Sequence, residues 1–272
     1  MEEPGKKKED SGGSQYILQS VSNALAVLDL LGSYETLSVA EVARLMKIGK
    51  TTAFRLLYTL ENSGFVAKDK AARYRLSLKL AILGSAVTGR MEIVKIAHPF
   101  LEELSGEFQE TVHLVLWNSD TDVVVADRVI GLSPISYQTS VGYVTRPAHY
   151  GASGQILLAF ADRKRLEQYL EAVDWSSCRE PVISDPARLL DLLEKVRREE
   201  VAVNDGDAIP GLYCYAVPVR DHENRVIASL SLSGPEANLL RKKDEIIRSL
   251  KNCAARIQEQ IRKDSPFCPI ST

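Results

Sequence analysis

The chain is 272 residues long, enough for about two domains, with 45% hydrophobic and 26% charged residues. No apolar run approaches the roughly 18 residues of a membrane span, and the polar opening, Met1 to Ser14, lacks the apolar stretch of a secretory signal. A net charge of −2 argues against a polyanionic partner, but Tyr16–Leu76 alone carries eight Lys/Arg against five Asp/Glu. Residues 1–15 carry three against four, and residues 77–272 carry 23 against 27, so the basic excess is confined to one segment. A local excess matters more than the total because salt screens attraction to phosphate within about 10 Å.

Along that segment, Val21, Leu25, Leu28 and Leu31 recur at helical spacing, with Ser20 or Ser22 expected to cap the start and Gly32 the end. Ser38-Val-Ala-Glu41 has the form of a capping box opening a second helix, whose apolar face is Val42, Leu45 and Met46. A third helix is predicted over roughly Lys50 to Ser63. At 100° per residue, Ala53, Leu56, Leu57 and Leu60 share one face, while Thr51, Arg55, Tyr58, Thr59 and Asn62 take the other, with Thr52 at its margin. Such a face can be merely solvated; Lys, Arg, Thr and Asn also bond phosphates and base edges. The context favours the second reading. Phe65-Val66-Ala67 and Tyr74-Arg75-Leu76 flank a polar tip at 68–73, a hairpin signal, and Lys50–Leu76 holds six basic residues against two acidic ones. A helix-turn-helix followed by a basic hairpin is a winged helix. Its second long helix is expected in the major groove and its wing on the flanking backbone. Candidate DNA-binding residues are Lys50, Thr51, Thr52, Arg55, Tyr58, Lys68, Lys70 and Arg73. A winged helix that binds protein is the alternative.

Leu78, Leu80, Ile82 and Leu83 begin a connecting helix with a weak point at Gly84-Ser85; Ile93 to Leu104 continue at helical spacing, with Pro99 suggesting a kink or a new start. Beyond it, Val112–Trp117, Val123–Ile130 and Ile135–Thr139 read as strands. Gly151-Ala-Ser-Gly154 opens a helix over Gln155–Phe160, and charged helices follow near Arg163–Glu171 and Asp185–Glu200. Tyr213–Val219 and Val226–Ser233 form a hairpin, and a closing helix spans roughly Asn238–Arg262. The expected class is α+β, a sheet domain covered by helices on one side.

The four cysteines, Cys178, Cys214, Cys253 and Cys268, form no C-x-x-C pair, which leaves a zinc ribbon or redox motif unsupported and suits a reducing cytoplasm. His113, His149 and Cys214 come without a nucleophile elbow or metal-ligand spacing, so no enzyme, metal or cofactor is expected. The glycine run lacks the lysine of a P-loop, but the free N–H groups at its helix start suit a carboxylate.

Several stretches, taken in order, resemble the IclR family of bacterial regulators. They are Gln19–Leu28, Thr51–Leu57, Gly64–Val66, Arg146–His149, Gly151–Ala159, Gly211–Pro218 and Ser229–Pro235. The resemblance covers about Tyr16 to Ile261. It implies a winged helix-turn-helix (16–77) after a disordered tail (1–15), a linker helix (78–92), a GAF-like effector-binding domain with an antiparallel sheet and helices (93–263), and a C-terminal tail (264–272). It also implies homodimers or homotetramers on palindromic promoter sites in double-stranded DNA, controlled by a small organic or aromatic acid, with no membrane partner. The effector positions it implies are Ala152, Ser153, Leu212, Cys214, Ser231 and Ser233. Arg146, which departs from the commoner residue as Gln155 does, is a candidate charged contact. Asn204 stands where some members place an acidic residue.

Overall fold

The structure, a computed structural model, describes residues 16–133, 140–145, 147–178, 183–206 and 210–264. The disordered tail expected at 1–15, the strand expected at Ile135–Thr139, Arg146, the tail beyond Asp264 and Cys268 lie outside these residues. The chain divides into two units, Met1–Val87 and Thr88–Thr272.

In the first unit, α1 (Gln19–Gly32), α2 (Val39–Leu45) and α3 (Lys50–Asn62) close on a core of Val27, Leu31, Val42, Ala53, Leu57 and Leu60. The expected serine cap on α1 is absent: the N-cap is Leu18, with no side-chain hydrogen bond; at the other end Gly32 is the last helical residue and Ser33 the C-cap. The capping box on α2 is present. Glu41 N–H donates to Ser38 Oγ at 3.3 Å, and Ser38 N–H donates to Glu41 Oε2 at 2.7 Å. The wing is β1 (Val66–Lys68) paired antiparallel with β2 (Tyr74–Leu76). Leu37 adds a bridge, exchanging backbone hydrogen bonds with Tyr74 at 2.9 and 2.7 Å, so the wing is anchored to the turn before α2. At the tip, Asp69 Oδ1 accepts from the N–H groups of Ala71 (2.9 Å) and Arg73 (2.8 Å), closing the loop locally. The connecting helix α4 (Leu78–Thr88) passes through Gly84-Ser85 unbroken and buries none of its residues.

The second unit opens with α5 (Glu92–Phe108), which contains Pro99 rather than starting at it. Its sheet comprises β3 (Thr111–Trp117), β4 (Val123–Val129), β5 (Val144–Thr145), β6 (Ala202–Asp205), β7 (Leu212–Arg220) and β8 (Val226–Pro235). The strands are antiparallel in the order β5-β4-β3-β8-β7-β6. The other helices are α6 (Ala152–Ala159), α7 (Arg163–Ala172), α8 (Pro186–Glu199), α9 (Glu236–Arg241) and α10 (Lys243–Asp264). The expected closing helix is thus two helices, divided at Lys242.

Helices cover both faces of the sheet, not one. Leu114, Tyr215, Val217, Leu230 and Leu232 pack against Ala97, Leu101 and Leu104 of α5 and Ile246, Leu250 and Ile257 of α10. Val115, Val123, Val125 and Ala216 face the opposite layer, with Ile156, Leu157 and Leu158 of α6 and Leu189, Leu193 and Val196 of α8. The period of two allots the strand residues: Ala228, Leu230 and Leu232 turn one way, and Ser229, Ser231 and Ser233 the other. All three serines are buried, each at most 3% exposed. Gly154 explains how closely α6 lies on the preceding turn, Ala148–Tyr150: a Cβ there would sit 1.9 Å from Ala148 O. Among the described residues, no helix is long and apolar enough to cross a membrane.

Candidate nucleic-acid interface and ligand pocket

Two places gather polar side chains that the folding cores do not use. The first is α3. Its N-cap is Gly49, and Ala53, Leu57 and Leu60 hold one face in the core. Lys50, Thr51, Thr52, Arg55 and Tyr58 all stand exposed, as do Lys68 and Lys70 on the wing. Arg73 differs. Its guanidinium donates through Nε to Thr36 Oγ1 at 2.8 Å and through Nη2 to Thr36 O at 3.0 Å, and it lies 3.1 Å from Glu41 Oε2. Glu41 is itself the capping-box carboxylate, held below the usual carboxylate range by its Ser38 hydrogen bonds and then by Arg73. Arg73 therefore braces the wing to the start of α2. Sequence reasoning missed this because its partners lie 37 and 32 positions away. It also missed Phe54, exposed beside Tyr58 with ring centroids 6.0 Å apart and planes 25° from parallel.

The second place is a cavity of about 480 Å³ on the α6 face of the sheet, within the size range of small-molecule sites. Ala152, Ser153, Leu212, Cys214, Ser231 and Ser233 all line it, although they come from three separate stretches. Cross-strand register brings the last three together: Cys214 pairs with Ser233, which is two residues from Ser231 on the same face. Asn204, opposite Cys214, lines the cavity as well and donates from Nδ2 to Tyr150 O at 3.0 Å. The walls are apolar, from Val115, Val123, Val125 and Val144. At the start of α6, the Ala152, Ser153 and Gly154 amides precede the first intrahelical bond, Gln155 N–H to Gly151 O at 3.0 Å. Gln155 does not reach the cavity; it is buried and donates to His149 O at 3.1 Å.

His113 also lines the cavity, directly opposite Ser231 in the sheet, with Nδ1 3.5 Å from Ser233 Oγ. Its residue type alone did not place it there. Burial, and then the positive charge of Arg128, lower its pKa to about 4. Burial raises the Cys214 thiol to about 12. A neutral imidazole and a protonated thiol are the reverse of an activated nucleophile–base pair. His149 is not among the residues that line the cavity. Its Nδ1 is 2.5 Å from Tyr169 Oη, its Nε2 3.0 Å from Ile183 O, and its ring stacks on Trp175. Burial lowers its pKa to about 4, so it is a neutral core histidine. No group of three or more metal-ligating side chains occurs among the described residues.

Comparison with known proteins accounts for both units. Residues 20–70 match the IclR helix-turn-helix domain, and residues 85–259 match the family described as bacterial transcriptional regulator IclR C-terminal. The regulator XynR of Escherichia coli is 32% identical over 219 residues, covering 80% of this chain and 86% of its own. KdgR of Escherichia coli is 29% identical over 253 residues, covering 92% and 95%. The crystal structure of Thermotoga maritima IclR superposes with a TM-score of 0.71 at 30% identity, covering 90% of this chain and 99% of that one. These relatives are regulators, not enzymes, and the helix-turn-helix is a DNA-binding module. The chain belongs to the IclR family of transcriptional regulators.

Proposed function

We propose that the protein binds palindromic promoter sites in double-stranded DNA as a homodimer or homotetramer in the cytoplasm, and that a small anionic metabolite in the C-terminal cavity controls that binding. Lys50, Thr51, Thr52, Arg55 and Tyr58 contact the major groove, and Lys68 and Lys70 the flanking phosphates. Arg73 positions the wing. Self-association is supported by apolar side chains left in water: Leu18, Val21 and Leu25 around α1, and Leu78, Ile82 and Val87 on α4. A two-fold dimer matches a palindrome because its two readers are related by the same axis.

The observation that carries the effector reading is the convergence of Ala152, Ser153, Leu212, Cys214, Ser231 and Ser233 on one cavity. The amides that precede the first intrahelical bond of α6, with the helix dipole, favour a carboxylate, the serine hydroxyls fix its orientation, and the valines hold an apolar body. Arg146 is a further proposed contact. One structural relative, from Microbacterium hydrocarbonoxydans, was crystallised with 4-hydroxybenzoate, an organic acid of suitable size. A ligand controls DNA binding only through its different affinities for two forms of the protein. Turning a 1:9 ratio into 9:1 takes about 2.6 kcal/mol.

The test is calorimetry of organic acids against the wild type and the Ser231→Ala/Ser233→Ala double variant, beside a thermal melt. The variant should lose most ligand affinity while keeping its fold and its ligand-free DNA affinity. Unchanged affinity for an acid that binds the wild type removes this site.

A further inference from the structure

Helix α3 has two unlike flanks on its solvent side. Thr52, Arg55 and Thr59 make a polar one, on which Thr59 Oγ1 turns back to Arg55 O at 2.8 Å. Phe54 and Tyr58, one turn apart, make an aromatic one. Phe54 is 46% exposed and Tyr58 52%, and their rings stack on each other. Each ring limits the other's movement, so the pair presents an apolar surface that begins in the N-terminal half of the helix, at Phe54, and continues into the next turn at Tyr58. The N-terminal part of a recognition helix is the part that meets base edges. The surroundings select the occupant. Lys50, Arg55, Lys68 and Lys70 are exposed cations in the same domain, which suits a polyanion rather than a second apolar protein face. The major groove offers one apolar group, the 5-methyl of thymine.

We propose that Phe54 and Tyr58 read a thymine methyl group in the major groove, giving the protein sequence preference through contact rather than hydrogen bonding. This rests on α3 being the helix that lies in the groove. Arg55, 100° further round the helix than Phe54, then addresses a neighbouring position through its guanidinium. The aromatic pair senses thymine by its methyl group; uracil keeps thymine's hydrogen-bonding edge and lacks that methyl.

The experiment starts by selecting preferred duplexes from a random pool with the full-length protein. Each thymine of the selected site is then replaced in turn by uracil. At one thymine per half-site or more, uracil should weaken wild-type binding by about four-fold, the worth of one methyl removed from water. Phe54→Ala should bind the thymine duplex at least about four-fold more weakly and show no difference between thymine and uracil there. Phe54→Leu should keep part of the discrimination. A thermal melt and binding to unselected DNA at low salt check that the variants fold. Uracil tolerated at every position, a Phe54→Ala variant that still prefers thymine, or a selection with no preferred sequence each overturns the proposal. So does a Phe54→Ala variant with normal DNA affinity and a smaller assembly in solution, which would assign the rings to a second copy of the chain.

Discussion

The two units use polar side chains in opposite ways. The first turns them outward: its core is Val27, Val42, Ala53, Leu57 and their neighbours, and the residues proposed to act on DNA stand in water. The second turns them inward: His113, Ser231 and Ser233 are buried, and the cavity they line lies between helix α6 and a sheet that is itself covered on both faces. The consequence is a difference in tolerance. Outward residues can be changed at little cost to stability, whereas inward ones serve the fold and the site together.

The sharpest way to break the comparison is Gly154→Ala. Its Cβ would stand 1.9 Å from a backbone oxygen, so α6 must move off the Ala148–Tyr150 turn. A loss of about 3–5 kcal/mol from the second unit is expected, as for severe overpacking, with binding to unselected DNA retained. Calorimetric melting that leaves the second transition unmoved refutes the packing argument.

Acid should separate the units next. All four histidines, at 98, 113, 149 and 222, lie beyond the first unit. His113 and His149 have folded pKa values lowered to about 4 from 6.5, so the unfolded chain binds protons more readily than the folded one. Their contribution is intact above pH 6.5 and is lost as pH falls towards 4. Between pH 7 and 5 the second unit should lose on the order of 2 kcal/mol or more, while the first stays nearly constant. Chemical denaturation at several pH values, followed by probes in each unit, measures this; equal slopes would contradict it.

Arg55→Ala should cost about 1–3 kcal/mol of operator affinity if the side chain reads a base. A uniform loss across sequences indicates a phosphate contact instead, and unchanged affinity removes Arg55 from the interface.

The wing offers the finest distinction. Replacing Lys68 and Lys70 by Ala should flatten the slope of log K against log salt by up to about 1.8, near 0.9 per lost contact. Arg73→Ala should instead lower the melting point of the first unit by a few degrees, because it removes hydrogen bonds to Thr36 and a half-exposed ion pair with Glu41. A salt slope altered by Arg73→Ala as much as by a lysine change would return it to the phosphate backbone.

The same contrast decided what could be read in advance. The capping box, α3 and the wing are local patterns, written in residues three or four apart, and they appear where expected. The inner site depends on register. Ser229, Ser231 and Ser233 alternate with Ala228, Leu230 and Leu232 as an exposed strand face would, and nothing nearby in the chain reveals that α6 covers them. The four residues of β6, between Glu199-Glu200 and Gly206, were too few to signal a strand, though they place Asn204 in the cavity. The cavity-lining residues Ala152, Ser153, Leu212, Cys214, Ser231 and Ser233 were singled out through family resemblance; His113, outside those motifs, was not placed there.

Strand β8 gives the second unit an unusual economy. Ser231 and Ser233 look into the cavity, while Leu230 and Leu232, one peptide bond away, are held by α5 and α10. The cavity and the outer helical layer are thus adjoining rooms with a common wall a single backbone thick. A displacement of that wall large enough to reshape one room alters the other, with no intermediate chain of side chains to absorb it.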